Sequence, residues 1–524
     1  MPLTYDDFKK LANGSDIRGV AVAGVAGEPV TLTPEAANRI AAGFVRLLTE
    51  KTGKQPAELQ IAVGHDSRIS ALAIKDCVLT GLTHTGAHGI DCVLASTPAM
   101  FMATIFEDTA ADGSIMITAS HLPYNRNGLK FFTAAGGADK EDIQKILAYA
   151  AEAKEAHGTL DHVLKFDLIG RYSEHLVNKI RTALGGVEKP LAGMHIVVDA
   201  GNGAGGFFAG RILTPLGADT TGSQFLDPDG HFPNHVPNPE DPAAMALAIE
   251  QAKSQDADLV MATDPDADRV GFAVKDEKGD FVLLNGNQAA CLFLYYLLKR
   301  WKELGKLTGS EYVVKTIVTT ELLSEISRKY DVKHYDVLTG FKYIASKILE
   351  LEGQQHFIGG GEESYGYLAG DFVRDKDAVI ATSLFAEAAA WAAEQGKTLY
   401  QVLKDIYTEF GLYKEKLVSI TKKGISGTEE INAMMARFRN TPPTEIAGSK
   451  VIEIRDYKAQ QARHLCDNTT SALQLPKSDV LQFFTADGTK VSVRPSGTEP
   501  KIKFYINAVI LNALSLDEAK KTAE

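Results

Sequence analysis

The sequence predicts an α/β fold, and three observations predict it. Short runs rich in Val and Ile alternate with helical stretches along the whole chain, the mark of βαβ units around largely parallel sheets. The 524 residues are 45% hydrophobic and 23% charged, a composition that excludes wholesale disorder, collagen and coiled coil and suits about three or four domains. Strand-loop-helix units begin near Ile61, Ile196 and Val313, as expected of a repeated domain.

In chain order, Thr33-Pro34-Glu35 opens a helix with a hydroxyl cap and a proline in its first turn. Leu59 to Val63 predicts a strand leading into the polar loop Gly64-His65-Asp66-Ser67-Arg68, and Ile115 to Thr118 predicts another that runs into Ala119-Ser120-His121-Leu122-Pro123. Helices follow near Lys140 to Glu155 and Leu168 to Leu184, with a domain boundary between them near residue 165. Strands are expected at His195 to Asp199 and Asp258 to Ala262, then a hairpin from Gly271 to Leu284 turning at Glu277-Lys278-Gly279-Asp280, and a second boundary near 286. Tyr312 to Val318 reads as a strand, and Phe341 to Leu351, Ala378 to Glu394 and Leu399 to Phe410 read as helices. The last hundred residues change to amphipathic strands around Leu417 to Ile420, Val451 to Ile454, Leu481 to Phe484 and Lys501 to Ile506, which predicts an α+β terminal domain.

Charge and composition narrow the function. Lys+Arg 55 against Asp+Glu 67 gives a net charge of -12, which argues against nucleic acid as a partner and leaves room for a small anionic ligand in a local basic cluster. The longest apolar run, Ala289 to Leu298, is closed by Lys299 and Arg300 and is about half of what a membrane span needs. The start, M-P-L-T-Y-D-D-F-K-K, is acidic where a secretion signal is basic and apolar, so the expected location is the cytoplasm. Cys77, Cys92, Cys291 and Cys466 stand far apart without a C-x-x-C, and are expected to be buried reduced thiols.

Four segments carry chemistry. Asp264-Pro265-Asp266-Ala267-Asp268-Arg269 follows an apolar strand; alternate residues of an extended loop point the same way, so three carboxylates are expected to converge on a hard cation such as Mg²⁺. The EF-hand pattern is broken by Arg269 and Lys275 at its sixth and twelfth positions. Ser120 is a strand-end hydroxyl with Lys130 ten residues on; without a G-x-S-x-G elbow it suits phosphoryl transfer better than acyl transfer. Arg494-Pro495-Ser496-Gly497-Thr498 combines a guanidinium, two hydroxyls and a glycine-freed backbone, the donors that fix a phosphate monoester. Gly359-Gly360-Gly361-Glu362-Glu363-Ser364-Tyr365-Gly366 sets carboxylates on a glycine-rich loop, where they can accept from sugar hydroxyls.

One rival signal points elsewhere. Gly201-Asn202-Gly203-Ala204-Gly205-Gly206 satisfies G-x-G-x-x-G after a strand, with Asp219 beyond it, which supports an NAD-dependent oxidoreductase. The fingerprint lies in mid-chain with no hydride-transfer site beside it, so a glycine turn packing strand against helix is the preferred reading. Walker A is absent, because Trp391 stands where Gly396-Lys397-Thr398 would need its first glycine.

Together with Ser15-Asp16-Ile17-Arg18-Gly19 and Thr339-Gly340-Phe341-Lys342, these segments resemble, in order, the α-D-phosphohexomutase superfamily of phosphoglucomutases and phosphomannomutases. The resemblance implies four domains around a central cleft, the first three of one mixed-sheet α/β topology and the last α+β, at residues 1–165, 166–285, 286–410 and 411–524. It implies that Ser120 is a phosphoserine nucleophile, that Asp264, Asp266 and Asp268 hold Mg²⁺ with the phosphoserine oxygen, and that Lys130 and Arg18 serve proton transfer and charge neutralisation. His121 and Arg269 would steady the phosphoryl group, Glu362 and Ser364 read the sugar hydroxyls, and Arg494, Ser496, Gly497 and Thr498 hold the non-reacting phosphate, with Lys342 assisting. The implied activity interconverts hexose 1-phosphate and hexose 6-phosphate through hexose 1,6-bisphosphate, glucose favoured and mannose possible, in a monomer or small homo-oligomer. A phosphopentomutase and a sugar-bisphosphate synthase are the alternatives within the family. The chain departs from many members at Leu122, where they have Asn, and at Ala267, where they have Gly.

Overall fold

The structure, a computed structural model, describes residues 3–183, 186–370, 373–422, 427–496 and 501–511. Four sheets follow one another along the chain. In the first, the strands lie in the order Ala12–Asn13, Asp16–Val20, Arg126–Thr133, Gly113–Ile117, Gln60–His65, His88–Leu94 and Leu164–Lys165; the last four are parallel and the others antiparallel. Alternation along its inner strands sorts the side chains. Ile61, Val63, Ile115, Ile117, Leu129 and Phe131 pack on one side with Phe44 and Ile146 of the helices. Ala62, Met116 and Phe132 face a second core that continues through the next two domains.

The second sheet orders Phe281–Leu283, Val270–Lys275, Leu259–Thr263 and Ile196–Asp199; the third orders Lys333–Val337, Glu311–Thr316, His356–Gly361 and Tyr367–Ala369. In all three domains an inner strand runs parallel to one neighbour and is followed by a loop and an antiparallel return. Those three loops carry Ser120, Asp264 to Arg269, and Glu362. The repeat therefore places the chemistry at equivalent points, beyond the carboxyl ends of inner strands.

Local signals explain many boundaries. Thr33 accepts from the Ala36 amide at 3.1 Å with Pro34 opening helix Pro34–Thr52, and Thr398 caps helix Leu399–Phe410. Helices Phe341–Leu351 and Ala378–Glu394 occupy the expected spans. The hairpin Val270–Lys275 to Phe281–Leu283 turns through Gly279 at φ 84°. The second repeat differs from expectation. After Ile196–Asp199 the chain makes a 3₁₀ turn at Ala204–Gly206 and a π-helical turn at Phe208–Leu213 rather than a regular helix. The glycines there are close-approach positions: a Cβ on Gly203 would stand 2.6 Å from Pro265 Cα, and one on Gly205 2.4 Å from Thr263 Oγ1. The turn packs against the carboxylate loop, so a Rossmann-type phosphate cradle has no room.

The last domain is antiparallel throughout, ordered Leu412–Thr421, Lys501–Ile510, Lys490–Pro495, Leu481–Thr485, Ser449–Asp456, Gln461–His464 and Thr469–Ala472, with helix Gly427–Asn440 packed on it. The cysteines are free thiols, and the expectation that all are buried is corrected: Cys92 and Cys291 are buried, Cys77 is half-buried and Cys466 is exposed. No helix among the described residues is long and apolar enough to cross a membrane.

Candidate active site

Ser120 sits just past strand Gly113–Ile117 in the left-handed region at φ 52°. Its amide donates to Thr118 Oγ1 at 2.9 Å, and the Thr118 hydroxyl donates to Asp66 Oδ2 at 2.7 Å. This turn delivers Ser120 Oγ to 3.0 Å from Asp264 Oδ2, with His121 Nδ1 3.4 Å away. Burial pulls His121 down to about 3, and Arg269 and Arg18 act in the same direction, so its ring is neutral.

The three carboxylates do converge, within 4.8 Å of one another and buried. Extended alternation is not the reason. The loop is tight: Asp264 Oδ1 accepts the Asp268 and Arg269 amides at 3.2 and 3.1 Å, and Ala267 takes φ 54°. Burial and the two neighbouring carboxylates drive the Asp264 carboxyl well above its usual range. Burial acts the same way on Asp266 and Asp268, but Lys130, together with Thr97 at Asp266 and with Lys376 and Arg269 at Asp268, outweighs it and both are held low. Among the described residues Asp266 Oδ1 and Asp268 Oδ1 have no donor. Buried, donor-free carboxylate oxygens beside a serine hydroxyl fit a hard divalent cation.

Lys130 lies on strand Arg126–Thr133 opposite Met116, and its Nζ donates to Asp266 Oδ2 and Asp268 Oδ2, both at 2.8 Å. Arg18 pairs with Gly128 across the same sheet, where a Cβ would stand 2.3 Å from Ile17 O. Its Nη2 donates to Asp16 at 2.8 Å, while Nε has no acceptor among the described residues. Arg269 Nη1 donates to Glu240 at 2.8 Å. Glu362 is buried and accepts the Gly340 amide at 2.9 Å; burial and Glu363 raise its carboxyl to about 7.

A cleft of about 410 Å³ joins these groups. Arg18, Ser120, Lys130, Asp268, Arg269, Lys342, Glu362 and Arg494 line it, one or more from each domain. Asp264, Asp266 and His121 stand behind or beside that lining, Ser364 is half-buried on the loop after Glu362, and Ser496 donates its amide to Lys501 O at 2.7 Å. Gly497 and Thr498 lie outside the described residues.

Other side chains at the site were not anticipated. Lys376 lines the cleft and donates to Asp268 Oδ2 at 2.7 Å; its signal is the charged run Arg374-Asp375-Lys376-Asp377 ahead of an apolar helix. Ser478 lines the cleft from the last domain. Thr97 donates its hydroxyl to Asp266 Oδ2 at 2.6 Å and its amide to Asp266 O at 2.9 Å, fastening the first domain to the carboxylate loop of the second. No local pattern marks Thr97.

Comparisons agree along the chain. Profiles of the phosphoglucomutase/phosphomannomutase family match its alpha/beta/alpha domains I, II and III at residues 9–157, 170–279 and 285–410, and its C-terminal domain at 430–512. A phosphoglucomutase of Staphylococcus haemolyticus (strain JCSC1435) is 33% identical over 509 residues, covering 94% of this chain and 90% of that protein. One from Staphylococcus aureus (strain USA300) is 33% identical over 487 residues, covering 90% and 85%. Among solved structures, a phosphoglucomutase/phosphomannomutase family protein from Burkholderia thailandensis superposes with a TM-score of 0.70 at 20% identity, covering 98% of this chain and 97% of that one. The open form of parafusin, a phosphoglucomutase from Paramecium, gives 0.70 at 18% identity, covering 98% and 93%.

Proposed function

Since the chain belongs to the phosphoglucomutase/phosphomannomutase family, we propose that it interconverts hexose 1-phosphate and hexose 6-phosphate, with glucose favoured and mannose accepted, by way of a phosphorylated Ser120 and a hexose 1,6-bisphosphate. The observation that carries this reading is Ser120 Oγ 3.0 Å from Asp264, in a cleft shared with Arg18, Glu362 and Arg494.

Asp264, Asp266 and Asp268 would hold Mg²⁺, which when bound supplies positive charge to the phosphoryl oxygens. The residues do the rest. Arg494 and Ser496 fix the phosphate that does not react, and Glu362 and Ser364 accept from sugar hydroxyls, so one free hydroxyl points at phosphorylated Ser120. The bond from phosphorus to Ser120 Oγ breaks as the bond to the sugar oxygen forms, the proton given up by the sugar hydroxyl ends on Ser120 Oγ, and the charges of Lys130 and Arg18 stabilise the oxygens between which it passes. His121, Arg269 and Lys342 add donors. The bisphosphate then turns over, and its other phosphoryl group returns to Ser120 Oγ. A walled cleft protects the phosphoserine from water between these steps. The reading places the enzyme in the cytoplasm, in keeping with four free thiols.

A coupled assay on a panel of sugar 1-phosphates, without nucleotide, tests the activity, and peptide mapping after exposure to hexose bisphosphate tests the intermediate. Glucose 1-phosphate should turn over, with phosphate on Ser120 alone. Pentose or N-acetylglucosamine phosphates better by about tenfold, roughly 1.4 kcal/mol, would overturn the sugar assignment. Full activity in Ser120→Ala would overturn the mechanism.

A further inference from the structure

The polar loop Gly64 to Arg68 takes no part in the chemistry above, yet Arg68 has a side chain that solvent does not reach. A guanidinium has five N–H donors in one plane, and here all five are used. Nη2 donates to Ser120 O at 2.5 Å and Leu122 O at 2.7 Å. Nη1 donates to Pro123 O at 2.7 Å and Arg126 O at 2.9 Å, and Nε donates to Asp66 Oδ2 at 3.2 Å. Four carbonyls of the nucleophile's own loop thus converge on one buried cation.

Two consequences follow for a serine that handles a phosphoryl group. Carbonyl oxygens facing a dianion repel it, and these four are turned inward and neutralised. The left-handed conformation of Ser120, φ 52°, is strained for a non-glycine residue, and it is held because Arg68 grips the Ser120 carbonyl while Thr118, itself bonded to Asp66, grips the Ser120 amide. The grip reaches the second domain. Arg68 forms a backbone bridge with Gly230, whose missing Cβ leaves room for the Ile69 amide, and the Phe232 ring lies 5.4 Å from Arg68 Cζ. The same side chain that shapes the Ser120 loop is therefore seated against the domain that carries the three carboxylates.

We propose that Arg68 is a positioning residue for phosphoryl transfer, setting the orientation of Ser120 Oγ and its distance to the Asp264 loop. This rests on the phosphoserine reading. An ammonium has three donors and no plane, so Arg68→Lys releases at least two of the five acceptors and lets the loop relax.

The test measures the rate of Ser120 labelling by hexose 1,6-bisphosphate, kcat and KM, with folding followed by circular dichroism. Arg68→Lys should lower labelling and kcat by about 100-fold, the scale set by a displacement of about 1 Å at a reacting atom, while KM stays within about threefold. Thr118→Val, which cuts the Asp66–Thr118–Ser120 chain without opening a cavity, should show the same split at about tenfold, and it decides the matter if Arg68→Lys does not fold. Millimolar guanidinium should restore part of the labelling in Arg68→Ala where methylammonium does not. Normal labelling in the parent together with undiminished labelling in folded Arg68→Lys overturns the proposal alone. Absence of label on Ser120 in the parent overturns the phosphoserine reading, and this proposal with it.

Discussion

The first three domains and the last hold their parts of the cleft in different ways. Ser120, the three carboxylates and Glu362 ride on one continuous apolar core that runs from Ala62 and Met116 through Met261 and Phe272 to Val314 and Phe385. Short cross-domain bonds fasten their loops: Thr97 to Asp266, Lys130 to Asp266 and Asp268, and the Val270 amide to Tyr365 O. The domain carrying Arg494 has its own core around Ile431, Val451, Phe483 and Ile502. It meets the third domain through a small cluster of Ile317, Val318, Leu338, Tyr457, Val480 and Tyr505, and among the described residues Leu412, Tyr413, Val509 and Ile510, near the chain crossing, reach the shared core. Its polar latch is Lys490, whose Nζ donates to Ile317 O and Thr319 O, both at 2.9 Å, and to Glu321 at 2.5 Å. Gln482 Nε2 also donates to Ile317 O, at 2.6 Å. The reacting groups are built in, whereas the phosphate grip is hung on. Damage on the first side should appear in kcat, and damage on the second in KM.

The largest effect tests the built-in side. Asp266→Asn removes one negative ligand while keeping the shape, and should lower kcat by about 100-fold or more while weakening the rise in thermal stability that added Mg²⁺ produces. Excess chelator should abolish transfer in the parent. Undiminished activity in chelator would break the metal assignment.

Next comes the latch. Lys490→Gln takes the cation from Glu321 and the donor from Thr319 O, while Ile317 O keeps Gln482, and should cost about 3 kcal/mol, spent chiefly on the seating of the last domain. Steady-state kinetics should show KM for glucose 1-phosphate up by about tenfold with kcat within about threefold. An equal fall in kcat would mean that the two sides are one unit, and the contrast would fail.

What could be read in advance divides along physical range. Helices such as Phe341–Leu351 and Leu399–Phe410 were legible because caps and amphipathic period are local properties. The three carboxylates were legible as a motif, but the cause of their convergence was not, since it depends on Asp264 accepting amides four and five residues on. Thr97 and Lys490 act through partners distant in sequence, and no strand or loop pattern carries a trace of them; Lys376 and Arg68 stand in visible polar runs, which do not reveal the distant partners they bind. The helix expected after Ile196–Asp199 failed because close packing of Gly203 and Gly205 on the carboxylate loop overrode the local tendency.

The chain crossing into the last domain offers a pH test. Glu415 lies on Leu412–Thr421 where the last domain begins, and burial raises its carboxyl to about 7, with Thr320 and Asn285 opposing. In the unfolded chain it ionises near pH 4.3. Between those values the unfolded chain gives up a proton that the folded chain keeps, so the stability this group contributes is complete at low pH and lost as pH rises to about 7. Glu415→Gln should therefore match the parent near pH 4 and exceed it at pH 8, read by denaturant unfolding. A constant difference across pH would place the carboxylate in water and weaken the account of that crossing.

The smallest effect asks how firmly the carboxylate loop is determined. Ala267 is buried at φ 54°, a conformation that costs alanine about 1 kcal/mol, and it is the position where many family members have glycine. Glycine removes that strain but adds about 0.5–1 kcal/mol of backbone entropy to the unfolded chain, and it gives up the one methyl that Ala267 buries in the shared core. The opposing terms are of equal size, so Ala267→Gly should change stability by less than about 1 kcal/mol in either direction. Geometry should hold as well, because the loop is closed by the Ala267 amide to Asp264 O at 3.0 Å and by Asp264 Oδ1 on the next two amides, bonds that need no side chain at 267. Turnover and Mg²⁺ dependence should then stay within about twofold of the parent. A tenfold loss of turnover would mean that the methyl holds the three carboxylates in place, and the loop would be less independently built than its hydrogen bonds imply.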